Sequence, residues 1–390
     1  MQQPLERQSQ ASATAGLLHS KQLVLCVGCG GVGKTTTAAA LAVAAAYLGR
    51  KAAVITVDPA QRLRTALGLD RLSHTPHAVW LARNHGTFDA LSLDTKRMFD
   101  ELVERFAPNP ETAQRIFANR LYRELSNELA GSAEYMAMER LYDLLKQRVY
   151  DIVIVDTPPS AHIQDLLAAP NRLLSLLASR AVRILQRPTS LVEGASSRAA
   201  QAALRTLLRA LERWSGLPLL KDLSDFVSGF ESMLAGFAHR ARDIAHLLRA
   251  PTTAFVLVTT PEPRTLNIAR EFAGELANGG YPLAGVVANR VHLFSGKATA
   301  RARTAGSLAR RLEQNYRALL ARSERDQRLL GELLRDTGLP LLAIVPVQPT
   351  PPASLDTLED IAAHLLAPAA HDMKEAEGTR SRDQRGASTS

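Results

Sequence analysis

The chain has 390 residues, 46% of them hydrophobic and 22% charged, and a formal net charge of +9. That is enough apolar material for one large α/β domain or two smaller ones. With only Cys26 and Cys29, it is no disulfide scaffold. No apolar run reaches the roughly 18 residues needed to cross a bilayer, and no charged-then-apolar leader opens the chain, so a soluble cytoplasmic protein is the default expectation. The basic excess is arginine spread along amphipathic stretches, which predicts solvated helix faces rather than a nucleic-acid site. Weak attraction to acidic surfaces stays open.

Residues 1–20 are rich in Gln, Ser, Ala and Thr without periodicity, and read as a disordered leader. Leu23 to Val27 is a short apolar run of strand length. Gly28-Cys29-Gly30-Gly31-Val32-Gly33-Lys34-Thr35 then fits G-x-x-x-x-G-K-[ST], and Thr36 to Tyr47 has the composition of a buried helix. Strand, glycine loop and helix in that order predict a phosphate cradle. Glycines let the backbone close around an anion, and the N–H groups of the loop and helix start point at it. Lys34 would hold the β/γ-phosphates and the Thr35 hydroxyl a Mg²⁺ ion. A second strand, Ala52 to Val57, ends at Asp58-Pro59-Ala60, which puts Asp58 at the carboxyl end of a strand, where doubly wound sheets bind ligands.

A short helix is expected over 60–70 and a strand around Leu91-Ser92-Leu93-Asp94. Mainly helical residues follow from Thr95 to Gln147, broken near Pro108-Asn109-Pro110 and with a core-like cluster Tyr135-Met136-Ala137-Met138. Asp151 to Asp156 reads as a strand buried on both faces. Asp156, at its tip before Thr157-Pro158-Pro159, is the expected acidic partner of Mg²⁺. Residues 165–250 are helical, and Leu223, Phe226, Val227, Phe230, Met233, Leu234, Phe237 and Ile244 recur at helical spacing. This face either packs on its neighbours or lines a groove for a hydrophobic partner. Further strands are expected at Phe255 to Thr260, Leu283 to Arg290 and Leu341 to Pro346. Helical stretches are expected at 299–336 and 354–366, and a disordered tail closes the chain. Strands alternating with helices predict an α/β, doubly wound, mostly parallel sheet. The domain would span 21–368, with helical insertions at about 95–147 and 165–250, and the tail would cover 369–390.

The motifs together resemble one family. The loop Gly28 to Thr36 is similar to the deviant Walker A of the SIMIBI P-loop ATPases. Asp58-Pro59-Ala60 resembles switch I, and Asp156-Thr157-Pro158-Pro159-Ser160-Ala161-His162 switch II, of the ArsA branch, which includes arsenite-pump ATPases and those targeting tail-anchored membrane proteins. Val286-Val287-Ala288-Asn289-Arg290 resembles the strand-end segment that reads adenine. The resemblance implies an ATPase using ATP and Mg²⁺. Gly28, Cys29, Gly30, Gly31, Val32, Gly33, Lys34, Thr35 and Thr36 would bind phosphate, with Thr35 and Asp156 at the metal, Asp156 through water. Asp58 would orient the attacking water, Asn289 and Glu262 would lie at the nucleotide, and Pro346 would pack on the base. It also implies a dimer whose nucleotide state changes a helical surface that holds a hydrophobic client or a membrane-protein partner.

Three departures shape the expectation. The family's signature lysine, which reaches the partner's nucleotide, is Cys29 here. A thiol cannot supply that charge near neutral pH. Arg62, in Gln61-Arg62-Leu63, is a candidate substitute cation. Two cysteines are too few for a three-thiolate arsenite site, and although Cys26-Val27-Gly28-Cys29 has the spacing of the family's intersubunit zinc site, a zinc ion there would collide with the phosphate loop. Cys29 at a helix start, where thiol pKa falls, is also a candidate redox position. The leading expectation is a homodimeric or heterodimeric ATPase. The alternatives are a weakly active subunit paired with a lysine-bearing paralogue, a ParA/MinD-like positioning ATPase, or a small-molecule kinase or synthetase on the same fold.

Overall fold

The computed structural model describes residues 12–57, 61–83, 86–118, 132–177, 236–294, 307–349 and 354–368. Their strands are β1 (Leu23–Val27), β2 (Ala52–Thr56), β3 (His77–Trp80), β4 (Thr87–Ser92), β5 (Ile152–Asp156), β6 (Thr253–Thr259), β7 (Leu283–Val291) and β8 (Leu341–Pro346). They form one sheet in the order β3-β4-β2-β5-β1-β6-β7-β8. All neighbours run parallel except β3 and β4. Every residue of β1, β2, β5 and β6 is buried, because helices cover both faces of a parallel sheet and its strands need apolar side chains on each. The mostly parallel α/β architecture is therefore as expected.

The described helices are α1 (Ala13–Ser20), α2 (Lys34–Tyr47), α3 (Gln61–Leu67), α4 (Thr95–Phe106), α5 (Pro110–Ala118), α6 (Ser132–Lys146), α7 (Ser160–Leu177), α8 (residues 236–247), α9 (Pro263–Asn278), α10 (Ser307–Thr337) and α11 (Leu355–Leu366). Helix α2 shows how composition sets position. Its run Lys34-Thr35-Thr36-Thr37-Ala38-Ala39-Ala40 continues in small residues to Ala46 and is almost wholly buried. Alanine has the best helix propensity and the smallest side chain, so α2 lies close against β1, β2 and β5 while α11, α3 and α1 cover it.

Two expectations need correction. Residues 12–20 do not belong to a disordered leader. Ser12 caps α1 by accepting from the Ala15 N–H at 3.1 Å, Thr14 donates to the Leu342 carbonyl at 3.1 Å, and Leu17 and Leu18 are buried. An eight-residue helix is too short for its period to show in the sequence; what holds it is contact with α2, β8 and α11. The strand expected at 91–94 is β4, which begins at Thr87 and stops at Ser92. Asp94 instead caps α4, its carboxylate accepting from the Arg97 N–H at 3.1 Å. Residues 1–11 and the tail from 369 lie outside the described residues, as do Leu223, Phe226, Val227, Phe230, Met233 and Leu234; Phe237 and Ile244 are buried.

The chain divides into two compact units. One comprises the described parts of Met1–Leu93, Leu144–Ile163 and Arg249–Ser390 and holds the sheet. The other comprises those of Asp94–Asp143 and Gln164–Leu248 and is helical. Its own core includes Leu102, Val103, Ile116, Tyr135, Met136, Met138 and Leu141, with the Phe106 and Phe237 rings 5.2 Å apart. A charged cluster is buried beside this core. Arg240 Nε donates to Glu139 Oε2 at 2.6 Å and its terminal nitrogen to Asp143 Oδ1 at 2.6 Å; Arg105 donates to the other Asp143 oxygen at 2.6 Å, and the Tyr135 hydroxyl donates to Glu139.

Candidate functional site: the loop after β1

The chain leaves β1 at Val27 between the ends of two neighbours. Register pairs Cys26 with Asp156 on β5 and Val27 with Leu257 on β6. From β1 the chain passes to β2 on one side of it, and from the adjacent β5 it passes to β6 on the other, the reversal that opens a crevice at carboxyl strand ends. Residues 28–33 fill it. Gly28 has φ 149°, and a Cβ there would collide with the Val258 carbonyl oxygen. Gly33 has φ 96° and precedes α2, and its Cβ would occupy the place of the Asn289 amide nitrogen. Both positions admit only glycine, for conformation and for space. Gly30 lies over Pro159, which brings the loop against the segment that follows β5.

The side chains converge from four strands. Lys34 is buried and its Nζ donates to the Cys29 carbonyl at 3.1 Å, so the amine is held over the loop. The Thr35 hydroxyl donates to Asp156 Oδ2 at 2.7 Å, and Thr56, the last residue of β2, donates to the same oxygen at 3.0 Å. Thr157 ties the β5 end to β1 by donating to the Cys26 carbonyl at 2.7 Å. Asn289 on β7 donates through Nδ2 to the Val32 carbonyl at 2.8 Å and accepts through Oδ1 from the Arg290 N–H at 2.9 Å. Arg290 takes a positive φ of 56°, an uncommon conformation for a residue with a Cβ. Pro346 ends β8 in register with Val291, and Val347 beside it is exposed. A hydroxyl and a carboxylate 2.7 Å apart at a glycine cradle are hard oxygen donors of the kind Mg²⁺ takes.

Of the residues singled out in the sequence, Gly28 to Thr36, Asp156, Asn289, Glu262 and Pro346 all lie at carboxyl strand ends of the sheet unit. Asp58 falls outside the described residues, as do the side chains of residues 160–162. Arg62 is exposed on the first turn of α3. Sequence reasoning gave no role to Thr56 and none to Thr157 beyond its place in the segment after β5. Each is a threonine at a strand end next to an aspartate on a neighbouring strand or in the chain, a signal that gains meaning only with the strand order.

The Cys29 thiol departs from the expected behaviour. Burial raises its pKa above the ordinary thiol value. The Lys34 and Arg264 charges pull it down and the Glu262 carboxylate pushes it up, and burial prevails. The helix start therefore does not make Cys29 a thiolate. Burial, reinforced by the Asp156 carboxylate, pushes the Cys26 thiol far above its usual range. Among the described residues no cluster of His, Cys, Asp and Glu could hold a metal on its own, and no described helix is long and apolar enough to cross a membrane.

Comparison with known proteins agrees with this geometry. The sequence matches the family described as anion-transporting ATPase over residues 21–313. It is similar to the "ATPase GET3" of Malassezia globosa, 28% identical over 166 residues, which are 42% of this chain and 47% of that protein. It is similar to the "ATPase ASNA1 homolog" of Trypanosoma cruzi, 27% identical over 302 residues, 71% of this chain and 76% of that protein. It also resembles a "Putative arsenical pump-driving ATPase" of Halobacterium salinarum, 30% identical over 152 residues, 37% of this chain and 23% of that protein. The chain thus spans about half the length of the first of these relatives and about three quarters of the second. Because the family match takes in the glycine loop and the strands on either side of it, the chain belongs to the anion-transporting ATPase family.

Proposed function

We propose that this chain is a cytoplasmic, Mg²⁺-dependent ATPase that works as a dimer and couples its nucleotide state to a helical surface for a hydrophobic client or partner. The observation that carries the reading is the convergence of Lys34, Thr35 and Asp156 at the glycine loop, with Thr35 and Asp156 joined at 2.7 Å. Loop amides and Lys34 hold the phosphates. Thr35 and Asp156 would hold Mg²⁺, which when bound would neutralise charge on the phosphate oxygens. Asp58 orients the water that attacks the γ-phosphorus, and ADP leaves. The adenine lies between Asn289 and the apolar edge of Pro346 and Val347, with Glu262 near the nucleotide. An arsenical substrate is not adopted, because soft metalloids need several converging thiolates and one of the two cysteines is fully buried in β1.

The test is phosphate release from ATP with and without Mg²⁺, for the parent and for Lys34→Ala and Asp156→Ala. Mg²⁺-dependent release lost in both variants is the expected result. Release that is independent of Lys34, or no nucleotide binding by the parent, refutes the proposal. Light scattering with ATP and with ADP tests the dimer, and identical behaviour in both states removes the coupling.

A further inference from the structure

We propose that Arg264 is a second phosphate-binding cation of this site, gripping the nucleotide's phosphate chain on the side of the loop where Cys29 stands. The proposal rests on the reading of the loop as an ATP site and adds a residue to it that the loop sequence does not contain.

The loop's own side chains offer one cation. Lys34 is buried with its Nζ on the Cys29 carbonyl, and Cys29 stays a neutral thiol. A nucleoside triphosphate carries several negative charges, so a second cation has work there. Strand order decides where it comes from. Strand β6 runs parallel to β1 with Leu257 opposite Val27, and the Val258 carbonyl lies against Gly28. The turn after β6 is therefore the immediate neighbour of the loop after β1.

That turn is rigid. The Glu262 N–H donates to the Thr260 carbonyl at 2.8 Å, and the Thr265 hydroxyl lies 2.7 Å from the Thr260 carbonyl and 3.0 Å from the Thr260 hydroxyl. Pro261 is buried and Pro263 occupies the first turn of α9. Arg264 follows directly, its side chain exposed and in no ion pair among the described residues, and its charge acts on the Cys29 thiol. Arg62 is not among the charges that do so. A guanidinium is permanently charged and presents a planar fork that fits two phosphate oxygens. Because the turn's backbone is already stapled, the ordering cost of binding falls on the Arg264 side chain alone. The Glu262 charge also acts on the Cys29 thiol and has the wrong sign for phosphate, so Arg264 additionally offsets an unfavourable neighbour.

The experiment titrates fluorescent ATP, ADP and adenosine analogues, with Mg²⁺, into the full chain. Arg264→Ala is expected to weaken ATP binding about tenfold, ADP less, and adenosine not at all. Arg264→Lys recovers part of the loss, and adding Cys29→Lys to Arg264→Ala restores the preference for ATP over ADP. Arg270→Ala, on the same helix but paired with Asp336 at 2.7 Å, leaves the preference unchanged. A parent that binds ATP while Arg264→Ala binds it equally well overturns the role of Arg264 alone. Equal weakening for all three ligands does the same, by showing a structural effect. A parent that binds no nucleotide refutes the ATP-site reading and Arg264 with it.

Discussion

Replacing Arg240 with methionine is expected to destabilise the helical unit by about 3–5 kcal/mol, the usual cost of stripping one partner from a buried charge pair. The magnitude follows from what is left behind. The Arg240 side chain is 9% exposed, that of Glu139 0% and that of Asp143 12%. Burial works against the guanidinium charge, yet its hydrogen bonds to both carboxylates hold its pKa above the ordinary value. Asp143 keeps Arg105 at 2.6 Å after the substitution. Among the described residues Glu139 then keeps the Tyr135 hydroxyl alone, so its carboxylate becomes a buried, uncompensated charge. Two charge-assisted bonds at about 1.5–3 kcal/mol each bracket the same figure. Stacking lost from Tyr142, whose ring centroid is 4.7 Å from the guanidinium carbon, adds to it. The assay is urea unfolding followed by circular dichroism, on Arg240→Met alone and with Glu139→Gln. The second change removes the orphaned charge and is expected to recover at least half of the loss. A single variant within about 1 kcal/mol of the parent, or a double variant no better than the single, would falsify the account, because either means that the Glu139 carboxylate is not left as an uncompensated buried charge.

Three further outcomes are expected. Gly33→Ala forces a side chain to φ 96° and into the place of the Asn289 amide nitrogen. It should cost at least about 1–2 kcal/mol in the melting profile and abolish nucleotide binding; parent-like affinity would show that the loop can re-form elsewhere. Since burial raises its pKa, Cys29 should react with an alkylating reagent near neutral pH more slowly than a free cysteine, speeding up as pH climbs beyond the usual thiol range. Labelling as fast as the free thiol at neutral pH contradicts this. Tyr142, pushed up to about 12 by burial and by its 2.7 Å hydrogen bond to Asp243, holds its proton more tightly folded than unfolded. Its contribution is complete below the ordinary tyrosine value of 10.0 and is lost as pH rises toward about 12. Tyr142→Phe should flatten that part of the alkaline unfolding curve, and an unchanged curve rejects the link.

The glycine loop, the strands beside it and the α/β class were legible in the sequence because each is written in consecutive residues. Gly28 to Thr35 is a contiguous cradle flanked by an apolar run and an alanine-rich helix. Strands such as Ile152–Asp156 announce themselves because burial on both faces leaves no room for polar alternation. Where the signal was short or depended on a partner, it failed. Helix α1 spans eight residues and is held by Leu342 and its neighbours, 328 positions away from Thr14. Strand β3, at the edge with only Val79 buried, carries no buried-strand pattern and pairs antiparallel only because β4 lies beside it.

The site divides in the same way. The sequence alone determined that Lys34 and Thr35 open a helix directly after a glycine loop, and that Asp156 and Asn289 stand at strand ends. Only the tertiary structure decided that β2, β5 and β7 deliver Thr56, Asp156 and Asn289 to one loop and set the turn after β6 beside it, since the strand order, and not the chain order, makes them neighbours. It also decided the state of Cys29. The position of this thiol before a helix argues for a lowered pKa, but the amount of chain packed around it cannot be read from the residues on either side, and that packing is what raises it.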